Sequence, residues 1–115
     1  RSFGPFQKYL RIRHEIDKYY RQVEEAILAV YDGTKTSEEV LDELYPNMGA
    51  IYMVGIDMSL KIIEKFGTKG LRGSLNDLST YTFFETYNMV TSTYRYSEKV
   101  INILRELKQK IEEIY

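Results

Sequence analysis

The chain has 115 residues and a mass of 13.6 kDa, which is the size of one ordinary domain. A net charge of -1 gives it no global attraction to nucleic acid or to an anionic membrane, and we expect neither as a partner. Because it has no cysteine, disulfides, thiolate metal sites and a cysteine nucleophile are excluded. The first residue is Arg1 rather than Met, so we expect the chain to be part of a longer protein.

Charge is unevenly distributed along the first half of the chain. Residues 1–22 hold six basic side chains against two acidic ones, whereas residues 23–48 hold seven acidic side chains against Lys35 alone. A solvated helix surface that changes sign along its length explains this pattern simply. A docking surface for a partner is the alternative.

The first half of the sequence carries clear helix signals. Apolar residues recur with helical spacing from Phe6 to Val30, and Gly33 follows as a C-cap would. Thr36 and Glu39 have the spacing of a capping box and predict a second helix that ends at Leu44.

A central helix is predicted from Met48 to Phe66, capped by Asn47 and terminated by Gly67. Its first half is apolar nearly all round, which predicts a position in the middle of the bundle. Gly55 lies inside this helix, where glycine costs about 1 kcal/mol relative to alanine. We interpret it as a place where another helix, or alternatively a ligand, approaches the backbone.

Two further helices complete the predicted fold. After turns that contain Gly70 and Gly73, Ser79 or Thr80 opens a short aromatic helix through Val90. The last helix runs from Tyr94 to Tyr115, with an apolar seam that repeats about every 3.5 residues at Val100, Leu104, Leu107, Ile111 and Ile114. The sequence therefore predicts an all-α, single-domain bundle of about five helices over residues 1–115, with a buried central helix and a long C-terminal helix.

Residue chemistry alone provides no catalytic or metal centre. His14 is the only histidine, and Lys18 stands where the HExxH motif of zinc peptidases would need a second one. We therefore expect His14 to be a surface residue. Asp57 is more unusual because its neighbours are apolar, and we expect it to bond to a tyrosine or to cap a neighbouring element, with a catalytic carboxylate as the alternative.

One long segment resembles a known family. Residues 41–88 are similar to the C-terminal part of zinc-dependent peptidases of the gluzincin type. The matching positions are Gly49, Tyr52, Gly55, Met58, Ile63, Glu64, Phe66, Gly67, Phe84, Tyr87 and Asn88.

The resemblance implies a helical C-terminal half that packs against a catalytic half and forms one wall of a substrate cleft. Those peptidases bind zinc through HExxH and a downstream glutamate, so zinc is expected in a longer parent and no metal ligand or other cofactor contact is expected in this chain. Alone, the chain is expected to be inactive.

The resemblance also assigns roles to individual residues. Tyr52 would donate a hydrogen bond to the tetrahedral oxyanion, and a half-buried core tyrosine is the alternative. Gly49, Tyr52, Gly55 and Asn88 would face the catalytic half. An apolar patch of Met48, Ile51 and Met53 would adjoin them.

A function of a different class fits the same sequence. A freestanding helical module could bind a protein partner through the first helix, or form a homodimer through the seam of the last helix.

Overall fold

The fold is all-α, as the sequence predicted. The computed structural model describes residues 4–114, and over that range the chain forms six α-helices and no strand. They are α1 (Gly4–Ile12), α2 (Ile16–Asp32), α3 (Ser37–Leu44), α4 (Ala50–Ser74), α5 (Tyr81–Val90) and α6 (Glu98–Ile114). The proposed start at Arg1 and the proposed helix end at Tyr115 lie outside the described residues.

The chain divides into two compact units, and the division falls inside α4. The first unit ends at Met58 and the second begins at Ser59. The assignment of residues 1–115 to one domain stays a prediction. No helix of the described residues is long and apolar enough to cross a membrane.

The first predicted helix is in fact two helices. A 3-10 turn at Arg13–Glu15 separates α1 from α2, and all three of its side chains are exposed. Because this turn has no apolar residue to pack, nothing requires it to keep α-helical geometry. Gly33 ends α2 as predicted, with a left-handed φ of 81° and with its N–H directed to the carbonyls of Ala29 and Val30.

The start of α3 follows the sequence closely. Thr36 accepts a hydrogen bond from the Glu39 N–H through Oγ1 at 3.1 Å, and the Glu39 carboxylate accepts one from the Thr36 N–H at 2.8 Å. This confirms the capping box. Val40 and Leu44 are the buried residues of α3, so the remaining positions of this short acidic helix lie toward solvent.

The central helix begins later than predicted. Asn47 and Met48 have left-handed φ values of 58° and 53°, so they form a turn and α4 starts at Ala50. The Lys8 ammonium donates to both of their carbonyls, at 2.9 and 3.1 Å, and stabilises this turn. A Cβ at Gly49 would lie 2.5 Å from the Leu44 carbonyl oxygen, so the tight turn requires glycine there.

The second unit contains the predicted break at Gly67, which has φ 72° and ψ -178°. The chain then resumes helical geometry as far as Ser74, so the expected breaks at Gly70 and Gly73 are wrong. Gly70 has a packing role instead, because a Cβ on it would lie 2.2 Å from Cβ of Phe66. The chain after the kink therefore lies directly against the Phe66 side chain.

The last helix starts four residues later than expected, at Glu98 instead of Tyr94. Hydrogen bonds from Asn88 to the backbone of Tyr96 hold the preceding residues outside a helix. Its seam is buried only in the first half: Val100 and Leu104 are buried, whereas Leu107 and Ile114 are 44% and 74% exposed.

Candidate functional site

Two predicted site residues, Tyr52 and Gly55, lie in the first turns of α4, and Gly49 lies in the turn before it; all three belong to the first unit. Tyr52 is 41% exposed, and its ring meets the Tyr45 ring edge-on with 5.8 Å between centroids. Tyr52 and Gly55 are three residues apart in a helix, so they share one side of α4. Chemically, this arrangement presents an accessible phenol, a hydrogen-bond donor, beside a helix surface with no side chain.

The reading of Gly55 as a close helix crossing is wrong. Apart from its own helix backbone and chain neighbours, no described atom lies within 4 Å of the position that a Cβ would take. Space is therefore open beside Gly55. The alternative reading, a surface that a ligand or partner approaches, stays a prediction.

The predicted apolar patch beside Tyr52 is smaller than expected. Met53 is fully buried in the core, whereas Met48 and Ile51 are only partly exposed. Successive helical residues point about 100° apart, so Tyr52 cannot face outward with Met53 beside it. Gly49 also has a sufficient structural reason in the turn before α4.

Asn88 serves the fold of the second unit. Its Nδ2 donates to the Tyr96 carbonyl and its Oδ1 accepts from the Tyr96 N–H, both at 3.0 Å. The buried Tyr87 donates to the Tyr94 carbonyl, which also accepts from Thr91 Oγ1. These bonds hold residues 91–97 outside any helix. The role of Asn88 as a cleft-facing residue stays a prediction.

Asp57 is the buried polar centre of the first unit. Tyr9 donates to its Oδ1 and Tyr20 donates to its Oδ2, each at 2.6 Å, which confirms the expected bond to a tyrosine. Asp57 is 4% exposed and Tyr20 is fully buried. Burial, followed by the hydrogen bond to Asp57, raises the pKa of the Tyr9 phenol above its usual value. The three side chains join α1, α2 and α4.

Sequence reasoning missed which tyrosines bond to Asp57. Tyr9 and Tyr20 stand on the apolar side of the first predicted helix, and 11 residues of the chain are tyrosines. A signal was nevertheless present. Both lie on the helix side that must be buried, and a buried phenol needs a hydrogen-bond acceptor.

The described residues do not fit a zinc site. His14 lies exposed in the 3-10 turn, beside Glu15 at 3.6 Å, which confirms its predicted surface position. Residues 4–114 contain no group of three or more His, Cys, Asp or Glu side chains that could hold a metal ion. A zinc site needs three or four such ligands around one point.

A known family matches most of this chain. Residues 6–95 match the model of a family described as "Putative zinc dependent peptidase (DUF5700)". The matched segment contains α2 to α5 and all of α1 except Gly4 and Pro5, and α6 lies outside it. Searches of curated proteins and of solved structures find no match.

Proposed function

The chain belongs to the peptidase family whose model spans residues 6–95, and on this premise we propose that it is the non-catalytic helical C-terminal domain of a gluzincin-like zinc peptidase. One observation carries the proposal. The family is described as zinc-dependent, yet the only histidine is exposed in a turn and no ligand group is assembled among residues 4–114. Zinc ligands of the active enzyme would then come from a catalytic half outside this chain.

In this proposal the first unit forms one wall of the substrate cleft. Tyr52 is the residue that we assign to the chemistry, because its phenol is accessible and the helix surface beside it, at Gly55, is open. A phenol so placed would donate a hydrogen bond to the oxyanion that develops when water attacks a peptide carbonyl. Donors of this kind typically contribute about two to three powers of ten to the rate.

The test compares this chain with the whole natural gene product. The whole product should exceed 13.6 kDa, bind about one zinc per chain and cleave fluorescein-labelled casein in a chelator-sensitive way. This chain alone should bind zinc only weakly and cleave nothing. Stoichiometric zinc or peptidase activity in this chain by itself would overturn the proposal, as would a zinc-free, inactive whole product.

Tyr52→Phe in the active whole product tests the assigned role. Turnover should fall about a hundredfold or more while zinc content stays the same, because only the phenol hydroxyl is lost. Tyr45→Phe is the matched control, since Tyr45 is equally exposed and contacts the Tyr52 ring. Unchanged turnover in Tyr52→Phe would remove it from the mechanism.

A second candidate function rests on α6. Its seam continues past the buried Leu104 into the exposed Leu107 and Ile114, so it offers an apolar stripe for a protein partner or a second copy. This freestanding interaction module would need no peptidase activity. Light scattering of this chain at high concentration tests self-association: a dimer that Leu107→Lys dissociates supports it, and a strict monomer contradicts it.

A further inference from the structure

An exposed face of the first unit places two tyrosines beside acidic side chains. It consists of Glu38, Leu41, Asp42 and Tyr45 from α3 and its C-cap, together with Tyr52 of α4, and we call it the tyrosine face. All five side chains are exposed, and Leu41, Tyr45 and Tyr52 have 44%, 45% and 41% of their surface open to solvent. Clustered exposed apolar surface with a polar rim is typical of binding sites.

Helix geometry explains why these residues share one face. Positions 38, 41, 42 and 45 are three or four residues apart, so they lie on one side of α3 and its cap, where the backbone of Tyr45 is still helical. Val40 and Leu44 are buried and mark the opposite, core-facing direction. The edge-on contact between Tyr45 and Tyr52, at an interplanar angle of 77°, then joins this side to the start of α4.

The tyrosine face is negatively charged. The helix α3 carries four acidic side chains and no basic one. Lys35 pairs with Glu43 at 2.8 Å, and Glu39 is held in its capping box, so two of the four carboxylates are engaged within the chain. Among the described residues, neither Glu38 nor Asp42 takes part in an ion pair. Their charge is therefore open to a cation from outside.

We propose that the tyrosine face binds a peptide segment bearing lysine or arginine, an inference that rests on the proposed function because it assigns the substrate class of the surface that carries Tyr52. A cation within about 6 Å of a tyrosine ring is attracted to its face. The carboxylates of Glu38 and Asp42 accept charge-assisted hydrogen bonds. Leu41 covers the methylene stem of a long basic side chain.

Fluorescence anisotropy of this chain with a fluorescein-labelled peptide of alternating alanine and arginine measures the binding directly. The arginine peptide should bind, and the matched peptide with glutamate in place of arginine should not. The double variant Glu38→Gln/Asp42→Asn should weaken binding by about tenfold, as two exposed charge contacts of about threefold each. Circular dichroism checks that its helix content is unchanged.

The matched control is Glu25→Gln/Asp32→Asn, which changes the net charge equally but lies on α2. Its affinity should stay within about twofold of the parent chain, since both exposed carboxylates lie on α2 and neither belongs to the tyrosine face. Equal weakening by the two double variants would overturn the proposal, because the attraction would then be diffuse. So would equal affinity for the arginine and glutamate peptides.

Substitutions of Tyr52 separate this inference from the proposed function. Tyr52→Phe keeps the aromatic ring and should bind the arginine peptide as the parent does, although it should lose turnover in the whole product. Tyr52→Leu removes the ring and should bind about threefold more weakly. If Leu and Phe bind alike, the ring has no part and the inference is wrong, whatever the whole product shows about zinc and turnover.

Discussion

Two pairs of tyrosines in the first unit have opposite environments. Tyr9 and Tyr20 lie in the core and both donate to the buried Asp57, whereas Tyr45 and Tyr52 are 45% and 41% exposed and contact each other. A phenol in the core needs an acceptor, and its hydrogen bond then fixes where helices meet. An exposed phenol can bond to water instead, so it does not need an acceptor within the protein and can contact a bound peptide. The same residue type thus serves the fold in one pair and, in our proposal, function in the other.

The largest expected effect is the loss of stability when Tyr9 and Tyr20 lose the acceptor that they share. Asp57→Ala removes the acceptor of two phenols, and the free energy of unfolding should fall by about 3–5 kcal/mol, since each orphaned buried group costs about 1–3 kcal/mol. Urea denaturation measures it. Asp42→Ala is the control, because this exposed carboxylate belongs to the tyrosine face and its loss should change stability by no more than about 0.5 kcal/mol. Similar losses of unfolding free energy from both substitutions would contradict the structural role assigned to Asp57.

A smaller effect should appear when one hydroxyl is removed from each pair. Tyr20→Phe should cost about 1–3 kcal/mol, because position 20, which is fully buried, loses its hydrogen bond to Asp57, and Asp57 loses one donor. Tyr52→Phe should change stability by less than about 0.5 kcal/mol. Thermal or urea unfolding of the two variants side by side checks this. A stability loss in Tyr52→Phe as large as that of Tyr20→Phe would contradict the assignment of Tyr52 to function.

The smallest expected effect is a dependence on alkaline pH. The pKa of Tyr9 is raised in the folded protein, so the folded state retains the phenol proton more firmly than the unfolded state, where the pKa lies near 10. The resulting stability is fully present below pH 10 and is lost as pH rises above it, by at most about 1.4 kcal/mol per pH unit. Between pH 9 and pH 11, the parent chain should therefore lose about 1 kcal/mol more than Tyr9→Phe does. Parallel pH profiles would contradict this.

Local signals predicted much of the fold correctly. The capping box of Thr36 and Glu39, the C-cap Gly33 and the break at Gly67 each depend on residues close together in the chain. Where the predicted helix starts were wrong, contacts between residues distant in the chain set the observed ones. Lys8 stabilises a left-handed turn at residues 47 and 48, and the paired bonds of Asn88 to Tyr96 delay α6 until Glu98.

The candidate site was predictable only in part. Placing Tyr52 and Gly55 on one side of a helix follows from their spacing, and family membership agrees with the resemblance of residues 41–88. The tyrosine face could not be predicted, because Tyr45 and Tyr52 meet only after the turn at residues 46–49 folds back. Nor could spacing predict that Gly55 faces open space, since that depends on which elements pack nearby.

By itself, the sequence determined the all-α class, the end of α2 at Gly33 and both ends of α3, because these depend on local backbone preferences and on capping residues close together in the chain. Tertiary structure alone decided which tyrosines reach Asp57, which pair remains in solvent, and how far the α6 seam is covered. Burial of a side chain depends on packing between residues far apart in the chain, and helical periodicity gives only the direction in which that side chain points.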